Sequence, residues 1–293
     1  MSAPLVTCRI FGQMGNQLFQ IATTLAFAWD HGAIAVFPEL HKKEDRIAYN
    51  RDRIFHRLNT SMPPRPFING FNEKNAYSPL RIPFKKDLVL CGYFQSWKHF
   101  HHHRDQLLTT FAPSEKILDK LHRKYQDLLE LPNTVAVHVR THNKKLHDIK
   151  LHPFMGFDYF QNAMDSFPED AQFVVFSERM GWCKKNFHEK CIFIEGNDGI
   201  EDFFLMSMMK HVIIANSSYS WWAAYLNQNP NKIIVAPQSF VDPVPDPRFP
   251  AKQNNLFNNE DVYFPDWKLI PVNFSEPYPF DMPDFPTQSV NNG

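Results

Sequence analysis

Glycine and cysteine are scarce in this chain of 293 residues, and neither sign of charge is in excess. The four cysteines are widely spaced with no C-x-x-C pair, which excludes a zinc ribbon or thioredoxin motif and argues against a disulfide scaffold. Basic and acidic residues each total 31, so the overall charge favours neither nucleic acid nor an acidic membrane, and any anion site must be local. No apolar run is long enough to cross a bilayer.

The rest of the composition is that of a globular protein, with 43% hydrophobic and 21% charged residues. The length suits two ordinary domains or one large one. The spaced cysteines fit a reducing compartment, and a strand-like run at Leu5–Phe11 leaves no room for a signal peptide or stem before it. We therefore expect a soluble cytoplasmic protein and leave peripheral contact with a membrane open.

Strand-like runs alternate with helical patterns along most of the chain, which is typical of parallel sheets covered on both faces. The predicted strands are Leu5–Phe11, Ile34–Phe37, Leu88–Phe94, Thr134–Arg140, Gln172–Ser177, Cys191–Glu195, Val212–Asn216 and Lys232–Ala236. The predicted helices are Asn16–Gly32, Pro113–Glu130, Asp158–Phe167, Met180–His188, Gly199–Lys210 and Ser220–Asn227. We predict an α/β protein with an irregular first half and a Rossmann-like second half.

Breaks in the alternation suggest the domain limits. Leu131–Asn133 separates the halves, and 11 prolines from Pro237 to Pro286 predict a stretch that wraps over the surface or frays. We predict an N-terminal α/β acceptor-side domain at residues 1–131, a Rossmann-like nucleotide domain at residues 132–270 and a Pro-rich tail at residues 271–293. Residues 41–86 show no clear pattern, and no elements are predicted there.

The first segment that could carry chemistry is Gly12–Gln17, between a predicted strand and a predicted helix. Its two glycines allow a tight turn and close approach of a ligand to the backbone. Asn16 would lie near a helix N-terminus, where free N–H groups favour an anion. The segment lacks the G-x-G-x-x-G spacing and the lysine of a P-loop, so a glycine turn with an asparagine cap is the alternative.

The second segment places His138 and Arg140 on one face of a predicted strand, because strand side chains alternate. An arginine at the carboxyl end of a parallel strand points into the ligand crevice of an α/β sheet, and its fork suits a diphosphate. An ordinary surface arginine is the alternative. His142 is four residues beyond His138, about 13 Å along a strand, which is too far for both to bind one metal.

The third segment runs from a buried strand into Asn216, Ser217, Ser218 and Ser220 at the start of a helix. Hydroxyls together with helix N–H groups can cradle a phosphate without a cation. Ordinary N-capping by Ser218 or Ser220 is the alternative, although one serine would be enough for it. Trp221 and Trp222, which follow, are expected to pack in the core.

A fourth segment holds four histidines, His99 and His101–His103. Without helical spacing or a nearby carboxylate set, it is interpreted as an exposed basic tract and not as a metal site. Its histidines would still titrate near neutral pH.

Five motifs occur in order along the chain: Gly12–Ala22, Gly92–Ser96, His138–Arg140, Phe173–Lys185 and Asn216–Leu226. Together they resemble those of the α-1,2-fucosyltransferases of glycosyltransferase family 11. The resemblance implies a GT-B-like fold of two Rossmann-like domains facing a central cleft. It also implies inverting transfer of L-fucose from GDP-fucose to the 2-hydroxyl of a galactose-terminated oligosaccharide, with no metal.

The same resemblance suggests roles for residues. Arg140 would contact the GDP diphosphate, with His138 on the same strand face, while Ser177 and Glu178 occupy a strand end that faces the nucleotide. The pocket-lining residues would be Asn216, Ser217, Ser218 and Ser220. The residues closing over the donor from the opposite half would be Gly15, Asn16 and Gln17.

One departure from the family pattern follows Arg140. The family commonly has His-x-Arg-Arg-Gly-Asp, whereas Thr141, His142 and Asn143 stand here in place of the second arginine, the glycine and the aspartate. We expect weaker donor binding or altered specificity. The departure keeps two alternatives open: a GDP-sugar- or glycan-binding protein with weak or no catalysis, and a fucosyltransferase of different linkage.

The sequence also contains no Asp-x-Asp pair, with which metal-dependent nucleotide-sugar transferases typically hold a divalent ion. The leaving diphosphate would then be neutralised by arginine, hydroxyls and N–H groups. Candidates for the catalytic base are Asp158, His152 and Asp148, and a buried carboxylate with a raised pKa would fit best. N-capping of a helix is the alternative role for Asp158.

Overall fold

Two parallel β-sheets organise the chain, one built within residues 5–91 and the other within residues 134–270. They are seen in a computed structural model that describes residues 2–42, 45–79, 81–141, 154–240 and 258–273. The strands are β1 Leu5–Cys8, β2 Ile34–Ala35, β3 Asn69–Asn72, β4 Leu88–Cys91, β5 Thr134–Val139, β6 Gln172–Ser177, β7 Ile192–Phe193, β8 His211–Ile213, β9 Ile234–Pro237 and β10 Lys268–Ile270. The helices are α1 Met14–Asp30, α2 Asp45–Arg51, α3 Arg104–Thr110, α4 Glu115–Glu130, α5 Phe157–Met164, α6 Met180–Asn186, α7 Gly199–Met208, α8 Ser218–Leu226 and α9 Asn259–Val262.

The strand order is β2-β1-β4-β3 in the first sheet and β10-β9-β8-β5-β6-β7 in the second. All the paired neighbours run parallel. Parallel neighbours need crossover connections, so helices come to lie on the sheet faces and the strand ends of one kind gather at one edge. The α/β prediction is confirmed, and the chain has the two-unit arrangement expected of a GT-B-like protein.

Strand β5 shows why the second sheet is covered on both faces. All six of its residues are buried. Val135, Val137 and Val139 pack in one apolar cluster with α5, while Ala136 belongs to the other cluster, which includes α7 and α8. Because side chains alternate along a strand, the apolar residues of β5 supply both layers at once.

Helices α1 and α8 join the two halves through aromatic side chains. The ring of Phe19 on α1 lies 4.6 Å from Trp221 and 5.2 Å from Trp222, centroid to centroid. Both tryptophans are fully buried, which confirms the expectation of core packing. Large buried rings contribute strongly to a core, so the halves share one apolar interior here.

Two stretches contain more structure than the sequence indicated. Within residues 41–86, left without elements, lie helix α2 and strand β3, which pairs with β4 through Asn69–Asn72. Helix α3 was not predicted either. Strand β3 is half-exposed and contains asparagine and glycine, residues disfavoured in strands, so it depends on its pairing rather than on propensity.

The Pro-rich stretch beyond Pro237 was expected to wrap over the surface or fray, and this was wrong for part of it. Strand β10 pairs in parallel with β9, and Tyr263 and Trp267 are buried. Prolines at 265 and 271 flank this strand without interrupting it. Residues 274–293 lie outside the described part of the chain, and the domain limits stay a prediction. Among the described residues, no helix is long and apolar enough to cross a membrane.

The interpretation of the histidines as an exposed basic tract holds for His102 and was wrong for His99, His101 and His103, which are half-buried. The ring of His99 lies 5.7 Å from Phe94, and burial lowers the pKa of His99 to about 4. His102 and His103 both contact the Asp30 carboxylate, at 3.0 and 2.8 Å. The carboxylate that the sequence did not reveal comes from the last residue of α1.

Candidate functional site

The N-termini of α1 and α8 meet, and they bring the two halves together at Gly15. A Cβ atom added there would lie 2.5 Å from the carbonyl carbon of Ser218 and 2.6 Å from the backbone nitrogen of Tyr219. Real Cβ atoms do not approach backbone so closely, so only glycine permits this contact. Gly12 precedes it with a φ of 77°, a conformation that favours glycine.

Asn16 links three of the motifs noted in the sequence. Its Oδ1 accepts hydrogen bonds from Ser218 Oγ at 3.0 Å and from Gln95 Nε2 at 2.8 Å. Asn16 is the third residue of α1 and not its cap, because the helix begins at Met14. The alternative of a glycine turn with an asparagine cap is therefore wrong.

The two helix N-termini that meet here both lack the usual caps. The cap residues, Gln13 and Ser217, make no side-chain capping bond, and neither helix has an acidic residue in its first turn. Ser218 Oγ donates to Asn16, and Ser220 Oγ donates to the carbonyl oxygen of Ser217 at 3.3 Å, so neither serine caps α8. Uncapped N–H groups and two positive dipole ends make this place suitable for an anion.

Arg140 lies at the carboxyl end of β5, as predicted, beside the end of β6. Its Nη1 donates to Glu178 Oε1 at 3.1 Å, and the same oxygen accepts bonds from Thr141 N at 3.1 Å and Thr141 Oγ1 at 3.0 Å. The strand register explains the pairing, since Val139 lies opposite Ser177. Among the described residues, this contact uses one of the five guanidinium N–H donors, which leaves the others for a ligand.

His138 lies on the same strand but is almost completely buried, with 5% of its surface exposed. Burial lowers its pKa to about 4, and the neighbouring Arg140 acts in the same direction. Its ring lies 5.3 Å from that of Tyr219 on α8. The imidazole is therefore neutral at physiological pH and supplies no positive charge to a diphosphate.

Gln17 was expected to close over the donor, but its side chain is turned into the protein interior. It is fully buried, its Nε2 donates to the carbonyl oxygen of Gly12 at 3.0 Å, and its Oε1 accepts a bond from Asn50 at 2.8 Å. Its amide supports the turn that precedes α1. Ser220 and Asn216 are likewise buried, whereas Ser217 and Ser218 are half-buried.

The structure describes one of the three proposed bases, Asp158. It is exposed in the first turn of α5, and the cap of that helix is Gly156, so the N-cap interpretation of Asp158 was wrong. Its role as a base stays a prediction. His152 and Asp148 lie outside the described residues, as do His142 and Asn143.

Sequence reasoning missed a half-buried acid close to this site, Glu73. Its carboxylate accepts bonds from Tyr93 N at 2.7 Å and Phe94 N at 2.9 Å, in the motif that also contains Gln95. The only signal nearby was Gly92, where a Cβ would lie 2.3 Å from that of Glu73. A lone glutamate in an unpatterned stretch carries no sequence signature of burial.

A cavity of about 510 Å³ lies elsewhere, in the region of α3, α4, α7 and α8. Its lining includes Leu108, Phe111, Phe204, Met208 and Leu226. No residue of the predicted donor set belongs to it. We place the candidate site at the meeting of α1 and α8 because the anion-binding groups converge there, and not in this apolar cavity.

The family model for glycosyl transferase family 11 matches residues 3–270, which is nearly the whole chain. The chain belongs to this family. It is therefore a glycosyltransferase, and the resemblance noted from the five motifs is confirmed.

Curated relatives agree with the family. An α-1,2-colitosyltransferase of Escherichia coli is 27% identical over 271 residues, covering 81% of this chain and 93% of the relative. A galactoside α-(1,2)-fucosyltransferase 2 of Oryctolagus cuniculus is 26% identical over 286 residues, covering 91% and 77%. Among solved structures, NodZ α-1,6-fucosyltransferase soaked with GDP-fucose aligns with a TM-score of 0.48 and 11% identity over 77% of this chain and 93% of that one.

Proposed function

We propose that this glycosyltransferase moves L-fucose from GDP-fucose to the 2-hydroxyl of a terminal galactoside, with inversion at the anomeric carbon and without a metal. The observation that carries the proposal is the convergence of two uncapped helix N-termini beside the strand-end Arg140, in a chain of family 11. The relatives that carry α-1,2-fucosyltransferase names support the sugar and the linkage.

The charge on the leaving group gives each part a role. In an oxocarbenium-like transition state, negative charge grows on the diphosphate as its bond to the sugar breaks. The N-terminus of α8 and Arg140 would stabilise that charge from the second half, and the N-terminus of α1 from the first. Both halves are then needed for a complete site, which explains why Asn16 and Ser218 bond across the junction.

Metal independence follows from the same donors. A divalent ion neutralises a diphosphate where the protein offers carboxylates, and this sequence has no Asp-x-Asp pair to offer. Arginine and helix N-termini neutralise charge without such an ion. We expect activity to persist in excess chelator, and a strict requirement for manganese would contradict this.

A second donor sugar has a specific observation behind it. The E. coli relative that covers 81% of this chain is named for colitose and not fucose. Both relatives are named for an α-1,2 linkage. The attacking hydroxyl is therefore better supported than the transferred sugar, and a colitose donor belongs in the same assay.

The test is an incubation of the purified protein with GDP-fucose and lactose, with and without EDTA, and with linkage analysis of the product. Release of GDP together with a 2-O-fucosylated galactoside supports the proposal. Preference for the colitose donor, or another linkage, would revise the specificity alone. Saturable binding of GDP-fucose without release of GDP would show instead a binding protein with little catalysis.

A further inference from the structure

The segments at the carboxyl edge of the first sheet contain a carboxylate that the anion site does not use. Glu73 follows β3 directly, and its backbone N–H donates to the carbonyl oxygen of Cys91 at 2.8 Å, which extends the pairing with β4. The same edge carries the segment leading to α1 and the segment Gly92–Gln95. In open α/β sheets this is the edge at which ligands bind.

The backbone beside Glu73 is bent around its carboxylate. One oxygen accepts bonds from Tyr93 N and Phe94 N, and the other also accepts a bond from Phe94 N, at 3.0 Å. Phe94 has a φ of 52°, which is unusual for a bulky residue, and Gly92 has no room for a Cβ beside Glu73. Such strain persists where the surroundings enforce it, and it concentrates at functional sites.

Two hydrogen bonds connect this carboxylate segment to the anion site. Phe94, whose backbone N–H donates to Glu73, is followed by Gln95, and the Gln95 amide donates to Asn16. Asn16 accepts a second bond from Ser218 at the start of α8. Glu73 therefore belongs to the first half, on the side of the junction opposite Arg140. A group that takes a proton from an attacking hydroxyl must lie across from the leaving diphosphate, because inversion requires attack from the opposite face.

The protonation state of Glu73 suits that task. Burial raises its pKa to about 7, although the bonds from Phe94 and Tyr93 act against the rise. Burial raises the pKa of Tyr77, and the charge of the Glu73 carboxylate acts in the same direction, so this phenol stays neutral. Among the described residues, no cation contributes to the shift in the pKa of Glu73. A base with a pKa near the working pH is both available in its charged form and able to hold a proton.

An exposed aromatic ring lies next to this carboxylate. Tyr93, whose backbone Glu73 binds, has 40% of its surface exposed, and its ring stands edge-on to Phe11 at 4.9 Å. A tyrosine that presents an apolar body with a polar tip is suited to the apolar face and hydroxyls of a pyranose. The neighbourhood thus offers both a surface for a sugar and a proton acceptor.

We infer that Glu73 is the catalytic base that deprotonates the acceptor hydroxyl, and that Tyr93 supports the acceptor sugar beside it. The inference rests on the proposed function. The acceptor O–H proton passes to a Glu73 oxygen while the acceptor oxygen bonds to the anomeric carbon. The bond from that carbon to the diphosphate breaks, its electron pair stays with GDP, and Glu73 afterwards releases the proton to water.

The decisive variant is Glu73→Gln, which keeps the size of the side chain and one carbonyl acceptor but cannot take a proton. We expect kcat to fall about 10²- to 10⁴-fold, with little change in the affinity for GDP measured by calorimetry. The rising limb of the pH–kcat profile near pH 7 should disappear. Tyr93→Ala should raise KM for the acceptor and leave GDP binding unchanged.

Asp202→Asn is the matched control. Burial also raises the pKa of Asp202, to about 6, but this acid lies in α7, where it accepts a bond from Asn197 at 2.9 Å. The same loss of a titrating carboxylate there should leave kcat and the neutral limb of the profile in place. A similar loss in both variants would show a general effect of removing buried charge.

Stability gives a readout that does not depend on activity. Because the pKa of Glu73 is raised in the folded protein, its contribution to the free energy of unfolding is greatest below its unfolded pKa near 4.3 and is lost as the pH rises to about 7. Glu73→Gln should flatten this part of the stability profile. The flattening would confirm that Glu73 titrates in that range whatever its effect on kcat.

The outcomes separate the two proposals. If the wild-type protein transfers fucose but Glu73→Gln retains kcat and the neutral pH limb, Glu73 is not the base and the proposed function stands. If Glu73→Gln lowers GDP affinity and stability as strongly as kcat, Glu73 only shapes the Tyr93–Phe94 turn. Failure of the wild-type protein to release GDP with any galactoside acceptor would overturn both.

Discussion

Two glutamates, one at each sheet edge, lie in opposite surroundings. Glu178 follows β6, is exposed, and accepts bonds from the guanidinium of Arg140 and from Thr141. Glu73 follows β3, two backbone N–H groups donate to its carboxylate, and no cation among the described residues shifts its pKa. The same type of side chain therefore has two tasks. Glu178 positions the Arg140 cation, whereas Glu73 is suited to accept a proton.

The difference shows how an enzyme built of two halves can place its two chemical tasks at different sheet edges. The positive charge of Arg140, at the carboxyl edge of the second sheet, suits the diphosphate of a donor. Glu73, whose pKa is about 7 and which lies at the carboxyl edge of the first sheet, suits the hydroxyl of an acceptor. We call these the donor edge and the acceptor edge. The residues that join the edges, Gly15, Asn16 and Ser218, lie on the N-termini of α1 and α8. Substitutions at the donor edge and at this junction test the two parts of the site separately.

The largest effect is expected from Arg140→Ala at the donor edge. Removing charge-assisted hydrogen bonds to a developing anion typically costs about 10²- to 10³-fold in kcat. The fold should persist, because the pair with Glu178 is partly exposed and such pairs contribute little to stability. Turnover of GDP-fucose and circular dichroism of the same preparation would check both expectations.

Arg123→Ala provides the control for that variant. Arg123 is exposed on α4 and remote from both sheet edges in its contacts, donating only to the carbonyl oxygen of Asp119 among the described residues. The substitution Arg123→Ala removes the same charge from the protein and should leave turnover unchanged. If Arg140→Ala kept the turnover of the wild type, the diphosphate would not bind at the donor edge.

The next effect is expected from Gly15→Ala at the junction. The added methyl group would meet the Ser218 backbone at 2.5 Å, so α1 and α8 must separate. We expect a loss of about 1–3 kcal/mol in the free energy of unfolding, as for other overpacked contacts, together with weaker GDP binding. Urea denaturation and calorimetry would measure the two effects.

Gly181→Ala is the matched glycine control, because it lies exposed in α6 with nothing within 4 Å of the added Cβ. Alanine favours a helix over glycine, so this variant should be as stable as the wild type or slightly more stable. Unchanged stability and GDP binding in Gly15→Ala would show that the two helix N-termini do not need their close contact.

Local patterns in the sequence were sufficient to predict most of the elements around the carboxyl edge of the second sheet. Strand β6 was predicted with its observed bounds and β5 with one residue too many, so Arg140 was expected at a strand end. The position of Glu178 at the neighbouring strand end came from the family resemblance, and the register of β5 with β6 agrees with it. The alternation of strands and helices also predicted α1 and α8, although each begins two residues earlier than expected.

The acceptor edge depends on tertiary contacts that no local pattern reveals. Strand β3 has a weak sequence signal and forms against β4, and only this pairing brings Glu73 to the Tyr93–Phe94 turn. Burial, which raises the pKa of Glu73, belongs to the folded protein and not to the residue type. The sequence also did not show that α5 begins at Phe157 with Gly156 as its cap, which is why the N-cap interpretation of Asp158 was wrong.

The smallest effect is expected from Asn16→Asp. This variant tests most directly whether an anion binds at the junction of α1 and α8. A carboxylate at 16 can still accept the bonds from Ser218 and Gln95, and an acid in the first turn of α1 stabilises the helix by about 0.3–1 kcal/mol. The same charge repels a diphosphate, so GDP affinity should fall about tenfold while the thermal midpoint stays equal or rises. Asn186→Asp, at the last residue of α6, adds the same charge away from the junction and should leave GDP affinity unchanged. Its thermal midpoint should fall slightly, because an acid at a helix C-terminus opposes the helix dipole and the bond from Asn186 Nδ2 to the carbonyl oxygen of Trp182 is lost. If Asn16→Asp bound GDP as tightly as the wild type, the anion would lie away from the N-terminus of α1, and the donor would belong to the second half alone.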